Sequence, residues 1–292
     1  MHTTILVTGA TGTVGREVIK QLSMLEGDEI RVRAGVHSVI TGENLKRLPG
    51  VEISEMDFEN QESLHAAFTH ADKLFMVAPF ADDQVEMEKT LVDEAKRTGV
   101  KHIVKLSSMG ADEEPGILLG LWHREIERYI EDSGISYTFL RPTSFMQNYI
   151  DYNAASIKQE GKFYQPLGNG KVSYIDARDI AAVGVETLLK EGHVGKIYEL
   201  TGPEALSNNE VAALLSEVSG KQVAYIDTPE AEAREAMLAQ GTPEWMADAM
   251  LELYGVYKSG SATKTTTTVE DVTGQKPHTM RQFLEDHRED FA

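Results

Sequence analysis

Near its start the chain reads Ile5-Leu6-Val7-Thr8-Gly9-Ala10-Thr11-Gly12-Thr13-Val14-Gly15, an apolar β-type run that meets three glycines and passes straight into an amphipathic stretch. A strand, a glycine turn and a helix in immediate succession leave few folds open, and each glycine has its own physical task. Gly9 permits a tight turn off the strand, Gly12 lets backbone approach a pyrophosphate, and Gly15 lets the helix pack closely on the sheet. Phosphates would rest on the unpaired N–H groups and positive dipole end of that helix. The turn therefore points to a dinucleotide held by Gly9, Thr11, Gly12, Thr13, Val14 and Gly15.

The pattern that follows alternates regularly. Helix Val14–Leu25 leads to strand Ile30–Val36, strand Val51–Glu55, helix Gln61–Phe68 and strand Lys73–Ala78. Helix Asp83–Thr98 stops at Gly99, strand Lys101–Leu106 follows, helix Leu118–Asp132 stops at Gly134, and strand Ser136–Arg141 runs into Pro142. Strands separated by helices imply right-handed βαβ units and a parallel sheet. Regularity falls away after Arg141. Turns at Gly161, Pro166, Gly168 and Gly170 mark a short β-rich stretch, then an apolar helix Ile180–Leu189 and strand Lys196–Thr201. Helix Ser207–Ser219, strand Gln222–Ile226, helices Glu230–Ala239 and Pro243–Tyr257, and a last helix Thr279–Glu289 complete the reading. The expected fold is α/β, a Rossmann-type doubly wound parallel sheet with a smaller α+β second lobe. Residues 1–150 form the nucleotide-binding domain, to which the chain returns around 171–195, and 151–292 form mostly the substrate-binding lobe.

Composition removes several alternatives. Asp and Glu number 47 against 28 Lys and Arg, a net charge of −19 that repels nucleic acid and acidic membranes alike. There is no Cys, so disulfides and thiolate chemistry are absent. With a strand expected by about Thr4 and no run approaching the ~18 apolar residues of a membrane span, a soluble cytoplasmic protein is expected. The nine histidines form no HExxH or other metal spacing, and no GxSxG elbow is present, so neither a metal site nor acyl transfer is expected.

The nucleotide's identity should be decided at the end of the second strand. An NAD-selective site usually carries an acid there, accepting from the ribose 2′-hydroxyl. No acid stands between Ile30 and Gly42; Arg31, Arg33, His37 and Ser38 stand there instead. Strand alternation puts Arg31, Arg33 and His37 on one face. NADP(H) is favoured over NAD(H), with Arg33, His37 and Ser38 toward the 2′-phosphate. The plainer alternative leaves Arg31 and Arg33 as solvated strand residues. Open sheets place ligands at the carboxyl ends of their strands, which adds Val77, Ala78, Pro79 and Phe80, then Ser107 and Ser108, then Pro142, Thr143, Ser144 and Phe145.

Thr8-Gly9-Ala10-Thr11-Gly12-Thr13-Val14-Gly15 resembles the glycine spacing of the NmrA-like family, atypical members of the short-chain dehydrogenase/reductase superfamily. The likeness continues through Val32–Ser38, Leu106-Ser107-Ser108, Leu140–Asn148, Asp176–Ala181 and the Val269–Gly274 and Phe283–Phe291 regions. It implies an NAD(P)H-binding oxidoreductase, such as a quinone or triphenylmethane reductase, or a regulator that binds the cofactor without turning it over. Members preferring NADP commonly have Arg where His37 stands, so this chain departs from the strongest form of that pattern. The resemblance also implies that Asp57 and Phe58 meet the adenine ring.

The Tyr-xxx-Lys catalytic pair of the wider superfamily is missing: Leu119 stands at the Tyr position and His123 at the Lys position. Tyr254-Gly-Val-Tyr-Lys258 matches the spacing but lies far downstream. His123, which the reductase relatives share, is the catalytic candidate, able to bond the nicotinamide ribose and to supply a proton. Loss of the Tyr argues against ketone chemistry more than against reduction of a conjugated electrophile. An apolar planar substrate, held in a crevice between the lobes by Phe80, Tyr149, Trp245, Met250 and Tyr254, is the expected partner; the Trp245–Tyr254 spacing is equally that of helical core. A homodimer or a protein partner stays open.

Overall fold

The computed structural model describes residues 2–25, 27 and 29–292. It runs β1 (Thr3–Val7), α1 (Thr13–Ser23), β2 (Ile30–Val36), β3 (Val51–Glu55), α2 (Gln61–Phe68), β4 (Lys73–Met76), α3 (Gln84–Thr98), β5 (His102–Leu106), α4 (Leu118–Ser133) and β6 (Ser136–Pro142). Then follow α5 (Asn148–Glu160), β7 (Lys162–Gln165), β8 (Lys171–Val172), α6 (Ala177–Leu189), β9 (Lys196–Leu200), β10 (Leu206–Ser207), α7 (Asn208–Ser219), β11 (Ala224–Asp227), α8 (Glu230–Ala239), α9 (Glu244–Lys258), α10 (Thr268–Thr273), α11 (Met280–Asp286) and α12 (Arg288–Phe291).

Seven strands form one sheet in the order β3-β2-β1-β4-β5-β6-β9. Strand order reverses beside β1, the switch point where Rossmann-type sheets hold their ligand. The β1–β2, β1–β4, β4–β5 and β5–β6 pairs are all parallel. Apolar residues of one parity, Leu6, Leu74, Ile103 and Phe139, are fully buried against Leu64 and Phe68 of α2, Leu91 and Ala95 of α3, and Ile126 and Ile130 of α4. Each such burial contributes about 1.5–3 kcal/mol. On the other parity Phe75 lies so close to α6 that a Cβ on Gly184 would come within 2.7 Å of its ring, so glycine is needed there. At the end of α3, Gly99 supplies the left-handed residue (φ 83°) that stops the helix.

The chain divides into two units: Met1–Glu114 with Gly120–Arg141 and Ile180–Tyr198, and Pro115–Leu119 with Pro142–Asp179 and Glu199–Ala292. The boundary thus falls at Pro142 rather than 150, and the return covers 180–198 rather than 171–195. The second unit has its own core, in which Tyr149, Phe163, Val172, Leu215 and Phe283 are buried together. Its strands form two small ladders, β10 with β8 and β11 with β7.

Several elements depart from the sequence reading. Helix α1 ends at Ser23, because Met24 and Leu25 are 66% and 41% exposed and have nothing to pack on. Helix α5 has no counterpart in that reading. Its buried positions, Tyr149, Asn153 and Ile157, form one narrow row that includes a polar residue, so the apolar period is weak. The last helix is two, broken at His287 (φ −110°).

Candidate functional site

The glycine turn is built as the physics of such turns requires. Gly9 takes φ 57°, which L-residues rarely adopt. A Cβ on Gly15 would sit 2.3 Å from the Gly9 carbonyl oxygen, so the third glycine lets α1 close onto the turn itself. Gly12 is the N-cap of α1 and offers no side-chain cap, and no acid stands in the first turn. Thr11 and Gly12 are exposed and Thr13 is half-buried, so the outer face of the turn is open. An uncapped helix end presented by an open glycine turn fits a pyrophosphate, whose oxygens would accept from those N–H groups. Exposed Arg16 adds a positive charge in the same turn, a candidate that the sequence reading passed over although it adjoins Gly15. Thr8 was missed too. Its hydroxyl donates to the Val77 carbonyl at 2.7 Å and accepts from the Val77 N–H at 2.8 Å, tying the end of β1 to the end of β4.

Arg33 requires a correction. Its guanidinium donates to the carbonyls of Ala67 and Thr69, both at 2.7 Å, and lies 3.4 Å from Glu52. It closes the carboxyl end of α2, where unpaired carbonyls and the negative dipole end favour a cation, and it is neither a 2′-phosphate ligand nor a solvated residue. His37 is exposed just beyond β2, and Ser38 opens a turn, its carbonyl accepting from Thr41 and Gly42. Asp57 and Phe58 follow β3; Asp57 holds the Glu59 N–H at 3.0 Å, and Phe58 packs on the core beneath α2. Val77 and Ala78 are half-buried after β4 and Pro79 is exposed, while the Phe80 ring lies 5.8 Å from that of Trp122.

On α4 the buried side carries Gly120, Ile126, Glu127 and Ile130, with His123 on the same stripe. A Cβ on Gly120 would come within 2.9 Å of the Gly110 carbonyl oxygen, so α4 approaches the segment after β5 closely. Glu127 is fully buried and accepts from Ser107 Oγ at 2.6 Å and from two nitrogens of Arg141 at 2.9 and 2.7 Å. Arg141 also reaches Asp112 at 2.9 Å and holds that carboxyl below its usual range. Ser107, expected at the cofactor, therefore belongs to this ionic cluster; Ser108 is half-buried beside it and donates to the Met109 carbonyl. His123 has its Nδ1 sealed from solvent, without a hydrogen-bond partner among the described residues. Burial first, and then the charge of Lys105, push its pKa well below the usual value.

In the second unit, Pro142 and Thr143 are buried, and the Thr143 hydroxyl donates to the Ser173 carbonyl at 2.6 Å. Phe145 bridges to Ile175, and Ser144 accepts from Asn148 at 3.1 Å. A recess of about 40 Å³ is lined by Ser144, Tyr152, Met250 and Tyr254 among others. Tyr149 also lines this recess, and at 2% exposure, with its hydroxyl donating to Asn208 at 2.6 Å, most of its ring is packed in the core. Trp245 is half-buried in α9 and does not line the recess. Among the described residues no group of His, Asp and Glu is placed to hold a metal, and no helix is long and apolar enough to cross a membrane.

Strand order and glycine turn together define a nucleotide-binding α/β protein of the Rossmann type. The NmrA-like family matches residues 1–286, and the chain belongs to that family. It is 40% identical over 288 residues to the NAD(P)H azoreductase of Xenophilus azovorans, covering 99% of each chain. Among solved structures it is similar to the NADPH-dependent quinone oxidoreductase of Escherichia coli in complex with NADPH, with a TM-score of 0.85, 28% identity, and coverage of 97% of this chain and 99% of that one. The triphenylmethane reductase of Citrobacter sp. gives a TM-score of 0.85 at 28% identity, covering 98% and 99%. These relatives place the chain with the NAD(P)H-dependent oxidoreductases of its family.

Proposed function

We propose that the protein is an NADPH-dependent reductase of a planar conjugated electrophile, a quinone or an azo dye. The observation that carries this reading is the open, uncapped start of α1 behind Gly9, Gly12 and Gly15, on a chain that matches an azoreductase along its whole length. The bound cofactor supplies the hydride. The chain's part is to hold it: the first N–H groups of α1, with Arg16, take the pyrophosphate, and His37 and Ser38 meet the 2′-phosphate. Absence of any acid from Ile30 to Gly42 removes the group that would select NADH.

Leu119 occupies the place of a proton-donating Tyr, so the protein offers little to an alkoxide forming from a simple ketone. A quinone or azo acceptor spreads the incoming charge over its own conjugated system and takes its proton from water. His123 bonds the cofactor from the buried side of α4. The tyrosine-rich recess suits the chemistry of a flat aromatic acceptor, although at about 40 Å³ it holds only a water or two as it stands. Tyr152, which is 75% exposed, is the wall that must swing aside.

The test is NADPH oxidation by the purified protein against quinones, azo dyes, enones and simple ketones. Turnover of the first two and indifference to ketones are expected. If NADPH binds and no acceptor is reduced above background, the enzyme reading fails and a cofactor-sensing role replaces it.

A further inference from the structure

Lys105 is the unexpected charge in this fold. It sits in β5, a strand otherwise apolar on that parity, and is 0% exposed. Its ammonium is paired with Glu88 of α3, itself 1% exposed, and donates to the Leu106 carbonyl at 3.2 Å. Gln84, one turn earlier on α3, donates to the other oxygen of Glu88 at 2.9 Å. A buried ion pair of this kind is no better for stability than packed apolar side chains, and is often worse. Its position is the informative part. Lys105 shares its strand face with Ile103, which packs with Ile126 and Ile130 of α4, and it is the charged group whose field acts on the His123 ring. Of the other charges near α4, Glu127 is committed to Arg141, Ser107 and Arg124, and Arg124 to Glu127 and Glu131.

The two ring nitrogens of His123 differ. A protonated imidazole has N–H on both, and here the Nδ1 proton would be sealed in without an acceptor among the described residues, with the field of the Lys105 ammonium adding to the cost of the charge. A neutral ring with its proton on Nε2 leaves only a lone pair at Nδ1, which an adjacent positive charge favours. We propose that Lys105, clamped by Glu88, is a positioning residue that fixes His123 as a neutral Nε2–H hydrogen-bond donor to the cofactor and withholds it from proton donation. The role given to the imidazole rests on the reductase reading; its charge state does not.

The experiment separates the two. In protein carrying histidine labelled with ¹³C at Cε1, the His123 signal is assigned by its loss in His123→Gln and followed from pH 5 to 9 without turnover. His123 is expected not to titrate in that range in the parent. His278 titrates as an internal control, because its bond to Asp179 raises its pKa above the usual value. Followed on down to pH 3 in parent and variant alike, so that both midpoints are read, His123 in the charge-neutral double variant Lys105→Met, Glu88→Gln should titrate about one pH unit above the parent, the scale of one nearby charge, while Lys105→Arg should keep it low. The pH profile of kcat should show no limb from His123 in the parent. Titration of parent His123 near its ordinary value overturns the proposal even if neither variant folds, and so does an unmoved midpoint in a folded double variant. An enzyme assay showing no reduction leaves the titration result intact and removes only the reductase reading.

Discussion

Ala substituted at Gly12 and at Gly15 should do opposite things, and the geometry says how much. At Gly15 the new Cβ would lie 2.3 Å from the Gly9 carbonyl oxygen and 2.9 Å from its carbon. Ordinary contact begins near 3.4 Å, so α1 must back away from the turn by about 1 Å. Overpacking of this kind against backbone destabilises by ~1–3 kcal/mol, offset by up to ~1 kcal/mol of better helix propensity. A net loss of about 1–2 kcal/mol is expected. Nucleotide binding should fall with it, because the N–H groups that face the phosphates move. At Gly12 the nearest atom to a new Cβ is the Gly9 oxygen at 3.2 Å, and φ is an ordinary −76°. Stability should fall by only about 0.5–1 kcal/mol, the cost of Ala in place of Gly at an N-cap, while the methyl group stands where a pyrophosphate would meet the helix. Tenfold or greater loss of NADPH affinity is expected, about 1.4 kcal/mol. Urea unfolding without nucleotide and calorimetric titration with NADPH measure the two effects independently. Full affinity in Gly12→Ala, or parental stability in Gly15→Ala, refutes the assignment of the glycines.

Arg33→Ala should lower stability by ~1–2 kcal/mol by uncovering the Ala67 and Thr69 carbonyls, with the ratio of NADPH to NADH affinity unchanged; His37→Ala should lower that ratio and leave stability alone, and calorimetry with both nucleotides checks the pair. His102 is depressed to about 4 by burial and then by Lys73 and His193, so the folded state keeps it neutral while the unfolded chain protonates near 6.5. Its stabilisation is complete above ~6.5 and is lost as pH falls toward 4; urea midpoints at pH 7 and pH 5 should therefore diverge less in His102→Gln than in the parent, and equal divergence would refute the cause.

Most of the nucleotide-binding half could be read from the sequence, because its signals are local. Strands β2 and β3 and helix α2 match their expected bounds, and Gly9 carries the turn conformation that its spacing implied, while the close approach at Gly15 is to the Gly9 turn rather than to the sheet. What the sequence could not show is where a charged side chain spends its charge. Arg33 has the strand parity of a phosphate ligand, yet the carbonyls of α2, more than thirty residues later, take it. Ser107 sits at a strand end and Tyr149 in an aromatic-rich stretch, but both hydroxyls go to buried polar partners, Glu127 and Asn208. Each of those pairings is long-range, and no period or propensity encodes it. Lys105 was passed over as well, although a lysine inside Ile103-Val104-Lys105-Leu106 has to find a buried partner.

The charges buried in the first unit are concentrated near the carboxyl ends of β5 and β6. Lys105 with Glu88, and Glu127 with Arg141 and Ser107, lie there, next to the stripe of α4 that carries His123. Elsewhere the sheet is filled with Leu, Ile and Phe, which would stabilise these positions at least as well. Apolar packing, however, tolerates sliding along a helix axis, whereas a bidentate Arg141–Glu127 pair with a third bond from Ser107 does not. Gly120 brings α4 close one turn before His123, and Glu127 pins it one turn after. The imidazole is thus held in depth and in register by groups whose hydrogen bonds go to one another. A site whose substrate is bound mainly by shape and stacking has few polar contacts with which to correct a misplaced cofactor. In such a site the rigidity has to come from the supporting strand ends, and this is where the fold has placed its buried charge.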